Sequence, residues 1–274
     1  MGYMVRDTKL IGRDVIWVKE TDSTNNMMKR LITDETTLEA EPGYGTIYEG
    51  KANEGLMIVS DYQRSGRGRS GHDWVAPPGS CVAISVLLKP DIADDKVHAI
   101  TLIAAMAVVR AIEKLSGLRP DIKWPNDVIS GGKKISGILT EMLVKNGEKN
   151  VIVGVGINLS QSDFPGELAD KATSIRLETG REYMAEEVVE HFARAFEEYY
   201  LKFMRTCNMT LLMDEYESRL INRGAEVRVM DPAGEYSGVA KGINESGALI
   251  VDTGVGIRVV DAGEVSVRGI YGYV

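Results

Sequence analysis

Residues that hold metals or form disulfides are scarce in this sequence. Its 274 residues include two cysteines and three histidines. Cys81 and Cys207 lie far apart and match no redox or metal-ligand spacing, and the histidines are scattered. We therefore expect neither a disulfide framework nor a zinc site of the usual type.

Features of export, membrane insertion and nucleic-acid binding are also missing. No N-terminal apolar segment resembles a signal peptide, and no apolar run reaches the roughly 20 residues that span a bilayer. Lysine and arginine number 32 against 40 aspartate and glutamate, which gives a net charge of −8. Phosphate neutralisation needs a basic surface, so DNA is not an expected partner. These absences predict a cytoplasmic protein that binds neither membrane nor DNA.

Apolar strands and helices alternate along most of the chain. Strands are predicted near 14–19, 56–60, 81–88 and 151–160, with a hairpin around Gly131-Gly132. A buried helix is predicted over 94–115, and further helices over 184–205 and 209–221. From about Arg223, short alternating strands separated by glycines indicate a small all-β barrel. Residues 33–55 show no clear period and are predicted to form a loop or insertion.

A glycine- and arginine-rich segment at residues 66–71 follows one of these strands. Its sequence, GRGRSG, matches the G-x-G-x-x-G fingerprint of dinucleotide sites. That reading requires a helix that begins within the glycines, and HDWVAPP at 72–78 cannot form one. Two interpretations remain. The segment is either a solvated basic loop or an anion-binding loop, in which free backbone N–H groups and guanidinium groups hold phosphate or carboxylate.

Four other motifs each have a purely structural interpretation. Ser23-Thr24-Asn25 suits a helix cap, and KWPND at 123–127 suits a turn. Lys133-Lys134 suits a solvated surface, and VGVGIN at 153–158 suits a strand weakened by glycine. Taken one at a time, each motif favours the structural interpretation.

In combination, the order and spacing of these motifs resemble the biotin–protein ligases. The resemblance rests on Ser23-Thr24-Asn25, on Gln63 followed by GRGRSGHDW, and on KWPND, KKISGIL and VGVGIN. It covers roughly residues 14–205, and the small β domain resembles the C-terminal domain of the family. It implies an α+β fold of the class II synthetase-like type: a mixed sheet with helices on one face, then an SH3-like barrel. The implied domains are residues 1–222 and 223–274.

Two features differ from the family pattern. Regulatory members carry a winged-helix DNA-binding domain before the Ser-Thr-Asn segment, whereas 22 residues precede Ser23 here. The resemblance is therefore to the monofunctional type without that domain. The segment 33–55 is longer than expected between the first helix and the arginine loop, and its role stays open.

The resemblance implies a reaction in two steps. The carboxylate of biotin attacks the α-phosphate of ATP, which gives biotinyl-5′-AMP and pyrophosphate. A lysine of a biotin carboxyl carrier protein domain then attacks the mixed anhydride. Magnesium would accompany ATP, with Asp127 as a contact, and a homodimer formed through a sheet edge is a further expectation.

The matched motifs assign roles to individual residues. Positive charge must offset the repulsion between carboxylate and phosphate, which points to Arg67, Arg69 and Lys134 as the catalytic residues. The residues expected to bind biotin are Ser23, Thr24, Asn25, Gln63, Gly66, Arg67, Gly68, Arg69, Lys134, Gly137 and Ile138. The residues expected to bind the nucleotide are Arg69, Trp74, Asn126, Lys134 and Asn158. Trp74 is also expected to act in, or to anchor, a loop that closes over the adenylate.

The alternation of side chains along a strand predicts which residues lie beside Lys134. Successive side chains in a strand point to opposite faces, so Lys134 should share a face with Ser136 and Ile138, and Gly137 should lie on the other.

Two other functions compete with that of a biotin–protein ligase. A lipoate or octanoyl ligase of the same fold is the nearest alternative, although such ligases lack this arginine loop. A biotin-sensing regulator without ligase activity is the second.

Overall fold

The described residues form a seven-stranded main sheet, a five-stranded sheet, a two-stranded sheet and five α-helices. The computed structural model describes residues 4–34, 52–231, 234–262 and 266–269, so the expected insertion at 33–55 falls largely outside them. The helices are α1 (Thr24–Asp34), α2 (Val97–Ser116), α3 (Ile175–Thr179), α4 (Ala185–Met204) and α5 (Met213–Glu217). The strands up to residue 158 are β1 (Val15–Val18), β2 (Met57–Ser60), β3 (Gly66–Arg67), β4 (Asp73–Trp74), β5 (Cys81–Leu88), β6 (Asp121–Lys123), β7 (Asp127–Ser130), β8 (Lys133–Lys145) and β9 (Glu148–Asn158).

The main sheet is mixed, as predicted. Its strands lie in the order β1-β2-β5-β9-β8-β7-β6. Strands β1 and β2 pair in parallel, and the other neighbours pair antiparallel. The segment IKWPNDVIS forms two strands rather than one, because residues 124–126 turn the chain between β6 and β7.

Helices cover both faces of this sheet, whereas the resemblance implied helices on one face. Val15 and Trp17 of β1 belong to the large core shared with α2 and α4. Ile16 and Val18 point the other way, into a smaller core with α1. The edge strand β1 and the inner strand β5 are apolar at nearly every position and buried throughout, so both of their faces must be covered.

The C-terminal domain is a five-stranded antiparallel sheet, in agreement with the predicted small β domain. Its strands are β10 (Glu226–Met230), β11 (Tyr236–Ile243), β12 (Leu249–Asp252), β13 (Ile257–Val260) and β14 (Ser266–Gly269), in the order β13-β12-β11-β10-β14. The exact domain boundary at residue 223 stays a prediction.

The helix predicted over 209–221 is wrong in length, since only α5 is helical there. Both ends of the segment bond to backbone elsewhere: Met209 N donates to Glu245 O at 2.7 Å, and Ile221 N donates to Ile122 O at 3.0 Å. A continued helix would need the Ile221 N–H as a donor to the carbonyl of Glu217, so its bond to Ile122 ends the helical pattern before residue 221. No helix in the described part of the chain is long and apolar enough to cross a membrane.

Candidate functional site

A polar cluster lies where α1 begins on the sheet. Thr24 donates its backbone N–H to Gln63 Oε1 at 2.8 Å, and its hydroxyl oxygen lies 3.1 Å from the same atom, so Gln63 satisfies a donor at the helix N-terminus. Ser23 is buried and its carbonyl accepts the Met27 N–H at 2.8 Å. The structure thus brings Thr24 and Gln63 together, with Ser23 next to them in the chain, and their contact with biotin stays a prediction. Their capping role and a ligand-binding role are compatible.

Asn25 is the innermost member of this cluster. Its side chain is buried, with Oδ1 2.6 Å from Ser85 Oγ and Nδ2 2.9 Å from Glu141 Oε2. A Cβ placed on Gly154 would lie 2.4 Å from Asn25 Oδ1. The first glycine of VGVGIN therefore makes room for the amide.

The arginine loop is a short hairpin of β3 and β4 and contains no α-helix. Gly68 N donates to His72 O at 2.7 Å across its tip. Gly66 faces β4 so closely that a Cβ would lie 2.5 Å from Trp74 O. The rejection of a dinucleotide-binding helix at this loop agrees with the structure.

The side chain of Arg69 links the arginine loop to two other parts of the fold. Its Nη1 donates to Asn126 Oδ1 at 3.1 Å, and its Nη2 donates to the carbonyl of Ala262, which follows β13. Burial lowers the pKa of the Arg69 guanidinium, and the nearby carboxylate of Asp127 partly offsets that shift. The C-terminal domain thus helps to hold a predicted catalytic side chain.

Lys134 lies on the same face as Gly137, which corrects the expectation from strand alternation. Val128 of β7 pairs with Ser136 of β8, and the next residue, Ile129, pairs with Lys134. Ile135 therefore has no partner in β7 and is the extra residue of a β-bulge. The bulge reverses the alternation. As a result, a Cβ on Gly137 would lie 2.9 Å from Lys134 Cε and 3.0 Å from its Nζ.

The ammonium of Lys134 pairs with Asp127, 2.6 Å from Oδ1. Both side chains are largely buried, at 26% and 14% exposure. Arg69 reaches Asn126, the residue before Asp127, from the other side. Two cations from separate segments therefore converge on the turn that KWPND forms.

The indole of Trp74 packs closely against two glycines of the sheet. A Cβ on Gly156 would lie 2.6 Å from its indole, and one on Gly137 would lie 3.2 Å from it. The indole Nε1 donates to Cys81 Sγ at 3.2 Å, and Lys134 Nζ is 5.8 Å from the ring centre. Burial raises the pKa of the Cys81 thiol to about 11, so it is not a nucleophile at neutral pH.

The two asparagines expected to read adenine are already engaged. Asn126 accepts from Arg69 and donates through Nδ2 to Ile138 O at 3.1 Å, while Ile138 N donates to Asn126 O at 2.9 Å. Asn158 is buried and donates through Nδ2 to Thr173 O at 3.0 Å. Both amides therefore organise the protein itself, and their contact with a nucleotide stays a prediction.

A cavity of about 910 Å³ opens beside the arginine loop. Its lining includes four predicted residues: Arg67, Gly68, Arg69 and Asn126. The rest comes from residues 71–73 of the arginine loop, from Asp94 and the start of α2, from Pro125, from residues 139–142 of β8 and from Ala262. A second recess, of about 10 Å³, is lined by Gln63, Trp74 and Cys81 among others. Lys134, Asp127 and Asn158 line neither space.

The described residues do not form a metal site of their own. No group of three or more His, Cys, Asp or Glu side chains among them is placed to hold a metal ion. Asp127, the expected contact, is paired with Lys134 instead. A metal held only by protein ligands therefore does not fit this site.

Sequence reasoning missed three residues that hold the predicted ones. Ser85 is a fully buried polar residue in the apolar run CVAISVLL, a signal that could have indicated a buried hydrogen bond. Glu141 follows the apolar run at 135–139 and carried a weaker signal of the same kind. Ala262 had none, because only its carbonyl takes part.

Comparison with known proteins identifies the family. Residues 44–158 match the model of the biotin/lipoate A/B protein ligase family, and residues 224–268 match the biotin protein ligase C-terminal domain. The bifunctional ligase/repressor BirA of Bacillus subtilis is 36% identical over 245 residues, covering 88% of this chain and 75% of that protein. The biotin–[acetyl-CoA-carboxylase] ligase of Mycobacterium tuberculosis is 32% identical over 220 residues, 77% of this chain and 79% of that protein.

A solved structure agrees with these relatives. Biotin protein ligase from Aquifex aeolicus, in complex with biotin and ATP, superimposes with a TM-score of 0.79 at 30% identity, covering 94% of this chain and 99% of that one. Fold, motifs and relatives lead to one assignment: the chain belongs to the biotin protein ligase family.

Proposed function

We propose that this protein is a biotin–protein ligase, which activates biotin with ATP and transfers it to a lysine of a carrier protein. One observation carries the proposal: Lys134 and Arg69, from separate segments, converge on the Asn126-Asp127 turn beside a cavity of about 910 Å³. The relatives named as biotin ligases support the same activity.

The first step needs positive charge where carboxylate and α-phosphate meet. Preorganised cations stabilise charge that develops in the transition state, and they act most strongly where water is excluded. Lys134 and Arg69 are held in place by Asp127 and Asn126 before any ligand binds. In this proposal Lys134 approaches both reacting groups, and Arg67 and Arg69 contact the phosphates in the cavity.

The polar cluster at α1 is proposed to hold the ureido group of biotin. Ser23, Thr24, Asn25 and Gln63 offer both donors and acceptors within one small region. A site that relies on such contacts rejects acids that lack them. Gly137 and Gly156, over which Trp74 lies, would form the apolar wall.

Magnesium is proposed to bind only as the salt of ATP, since the described residues do not form a site for it.

The acceptor is proposed to be the lysine of a biotin carboxyl carrier protein domain, because relatives are named for acetyl-CoA carboxylase. Consumption of ATP supports a cytoplasmic location. A homodimer through the sheet edge also belongs to the proposal, and sedimentation velocity tests it.

The test is a two-stage assay with the purified chain. Biotin, ATP and magnesium should release pyrophosphate and yield biotinyl-5′-AMP, and an apo-carrier domain should then gain the mass of one biotinyl group. Pyrophosphate release with lipoate or octanoate but not with biotin would instead indicate a lipoate-type ligase. Adenylate formation without transfer to the carrier would indicate a biotin-sensing regulator.

A further inference from the structure

A continuous hydrogen-bonded chain lies beneath the predicted ureido site. It runs from Gln63 through Thr24 and Ser85 to Asn25, and it ends at Glu141. The five residues come from α1, the segment after β2, β5 and β8, so packing rather than local sequence assembles them. Ser85 is fully buried, and Thr24 and Asn25 are nearly so.

Glu141 sets the polarity of this chain. A carboxylate only accepts hydrogen bonds, so Asn25 must turn its Nδ2 donor towards Glu141 Oε2, at 2.9 Å, and the same donor makes a longer bond to Leu139 O, at 3.3 Å. The Asn25 Oδ1 acceptor then faces Ser85 Oγ at 2.6 Å. Gly154 packs against the amide, where a Cβ would lie 2.4 Å from Oδ1.

The orientation of Asn25 decides which atoms remain for a ligand. Ser85 has one proton, and Asn25 Oδ1 takes it because that atom cannot donate. The proton in the 2.8 Å contact between Thr24 Oγ1 and Ser85 Oγ is then that of Thr24, and the remaining lone pair of the Thr24 oxygen can accept a ligand N–H. The carbonyl of Gln63 is held by Thr24, which turns the Gln63 Nε2 donor away from α1.

We propose that Glu141 is a positioning residue for substrate specificity, which fixes the donor and acceptor pattern that reads the ureido group. This inference rests on the proposed function. The other oxygen of Glu141 pairs with Lys29 at 2.7 Å, and the two side chains are 31% and 25% exposed. In this proposal the acceptor character of Glu141 sets the specificity, and the partly exposed ion pair contributes little to it.

The experiment compares Glu141→Gln with wild type in the pyrophosphate-release assay. The amide can donate as well as accept, so it no longer requires a donor from Asn25, and only the longer bond from Nδ2 to Leu139 O, at 3.3 Å, opposes reversal of Asn25. The KM for biotin should rise about tenfold, the size expected when a buried polar group loses its partner, while kcat at saturating biotin stays within about twofold. Affinity for desthiobiotin, which retains the ureido ring, should fall by the same factor. Affinity for lipoic acid, which lacks it, should not change.

Two further variants separate the possible causes. Lys29→Met removes the charge partner and keeps the bond from Asn25, so its KM should stay close to wild type. Ser85→Ala removes the donor to Asn25 with little change in volume. It should reproduce the selective loss, and it serves as the probe if Glu141→Gln does not fold.

Unchanged KM for biotin in folded Glu141→Gln and Ser85→Ala would overturn the inference. Equal losses for biotin and lipoic acid would also overturn it, since they would indicate a purely structural role. Failure of the wild-type protein to form biotinyl-5′-AMP would refute the proposed function itself, which is a distinct result.

Discussion

Replacement of Lys134 by alanine tests the centre of the proposed chemistry. The change removes an ammonium that lies 2.6 Å from Asp127 Oδ1 and directly over Gly137. Its neighbour Lys133 provides a matched control, because Lys133 Nζ donates instead to Ala169 O at 2.8 Å in an exposed position.

The expected magnitudes differ for activity and for stability. Loss of one preorganised contact to the transition state costs about 2.7–4 kcal/mol, so adenylate formation should slow by about 10²–10³. A hydrogen bond to a charged group contributes about 1.5–3 kcal/mol to stability. Solvent screens the partly exposed pair, with side chains at 26% and 14% exposure, so the loss of Lys134 should cost about 1–2 kcal/mol of unfolding free energy.

The assay is pyrophosphate release from biotin and ATP, with thermal unfolding measured on the same samples. Lys133→Ala should stay within about twofold of wild type, since an exposed contact contributes less than about 1 kcal/mol. Equal activity of the two variants, or greater damage from Lys133→Ala, would show that the assignment of Lys134 is wrong. Unfolding of Lys134→Ala at the assay temperature would be visible in the melting curve.

Three further results are expected. Gly156→Ala should displace the Trp74 indole, lower the free energy of unfolding measured in urea by about 1–3 kcal/mol and change the tryptophan fluorescence. Gly256→Ala, which has open space around the added methyl group, should do neither. Residues 64–72 should exchange amide hydrogens quickly without ligand and slowly with biotinyl-5′-AMP, and equal rates would contradict a closing loop. Burial raises the pKa of the Cys81 thiol to about 11, so a thiol reagent at pH 8 should label Cys207 quickly and Cys81 slowly. Labelling of Cys81 should accelerate only as the pH approaches 11. Equal labelling rates for the two cysteines would refute the packing seen around Cys81.

Local pattern was sufficient for most elements of the fold. The apolar runs at 81–88 and 151–160 became β5 and β9, and the periodic segments at 94–115 and 184–205 became α2 and α4. Periodicity is a property of neighbouring residues, so it can be read from the chain alone. The length predicted for the helix over 209–221 was wrong, because Ile221 N–H bonds to Ile122 O of β6 instead of continuing the helix.

The order of the motifs likewise indicated the family and which residues to examine. What it could not supply was geometry. The β-bulge at Ile135 depends on the register between β7 and β8, and that one extra residue moves Lys134 onto the face of Gly137.

Contacts between distant segments were decided by the tertiary structure alone. Asn25 meets Ser85 and Glu141, and Arg69 meets Ala262, across 60 to 193 residues of chain. No local preference determines such pairs, because they form only when two covered sheet faces and the C-terminal domain bring the segments together. The sequence by itself therefore determined the elements and the family, and the packing determined which polar atoms in the site are held and which are left for a ligand.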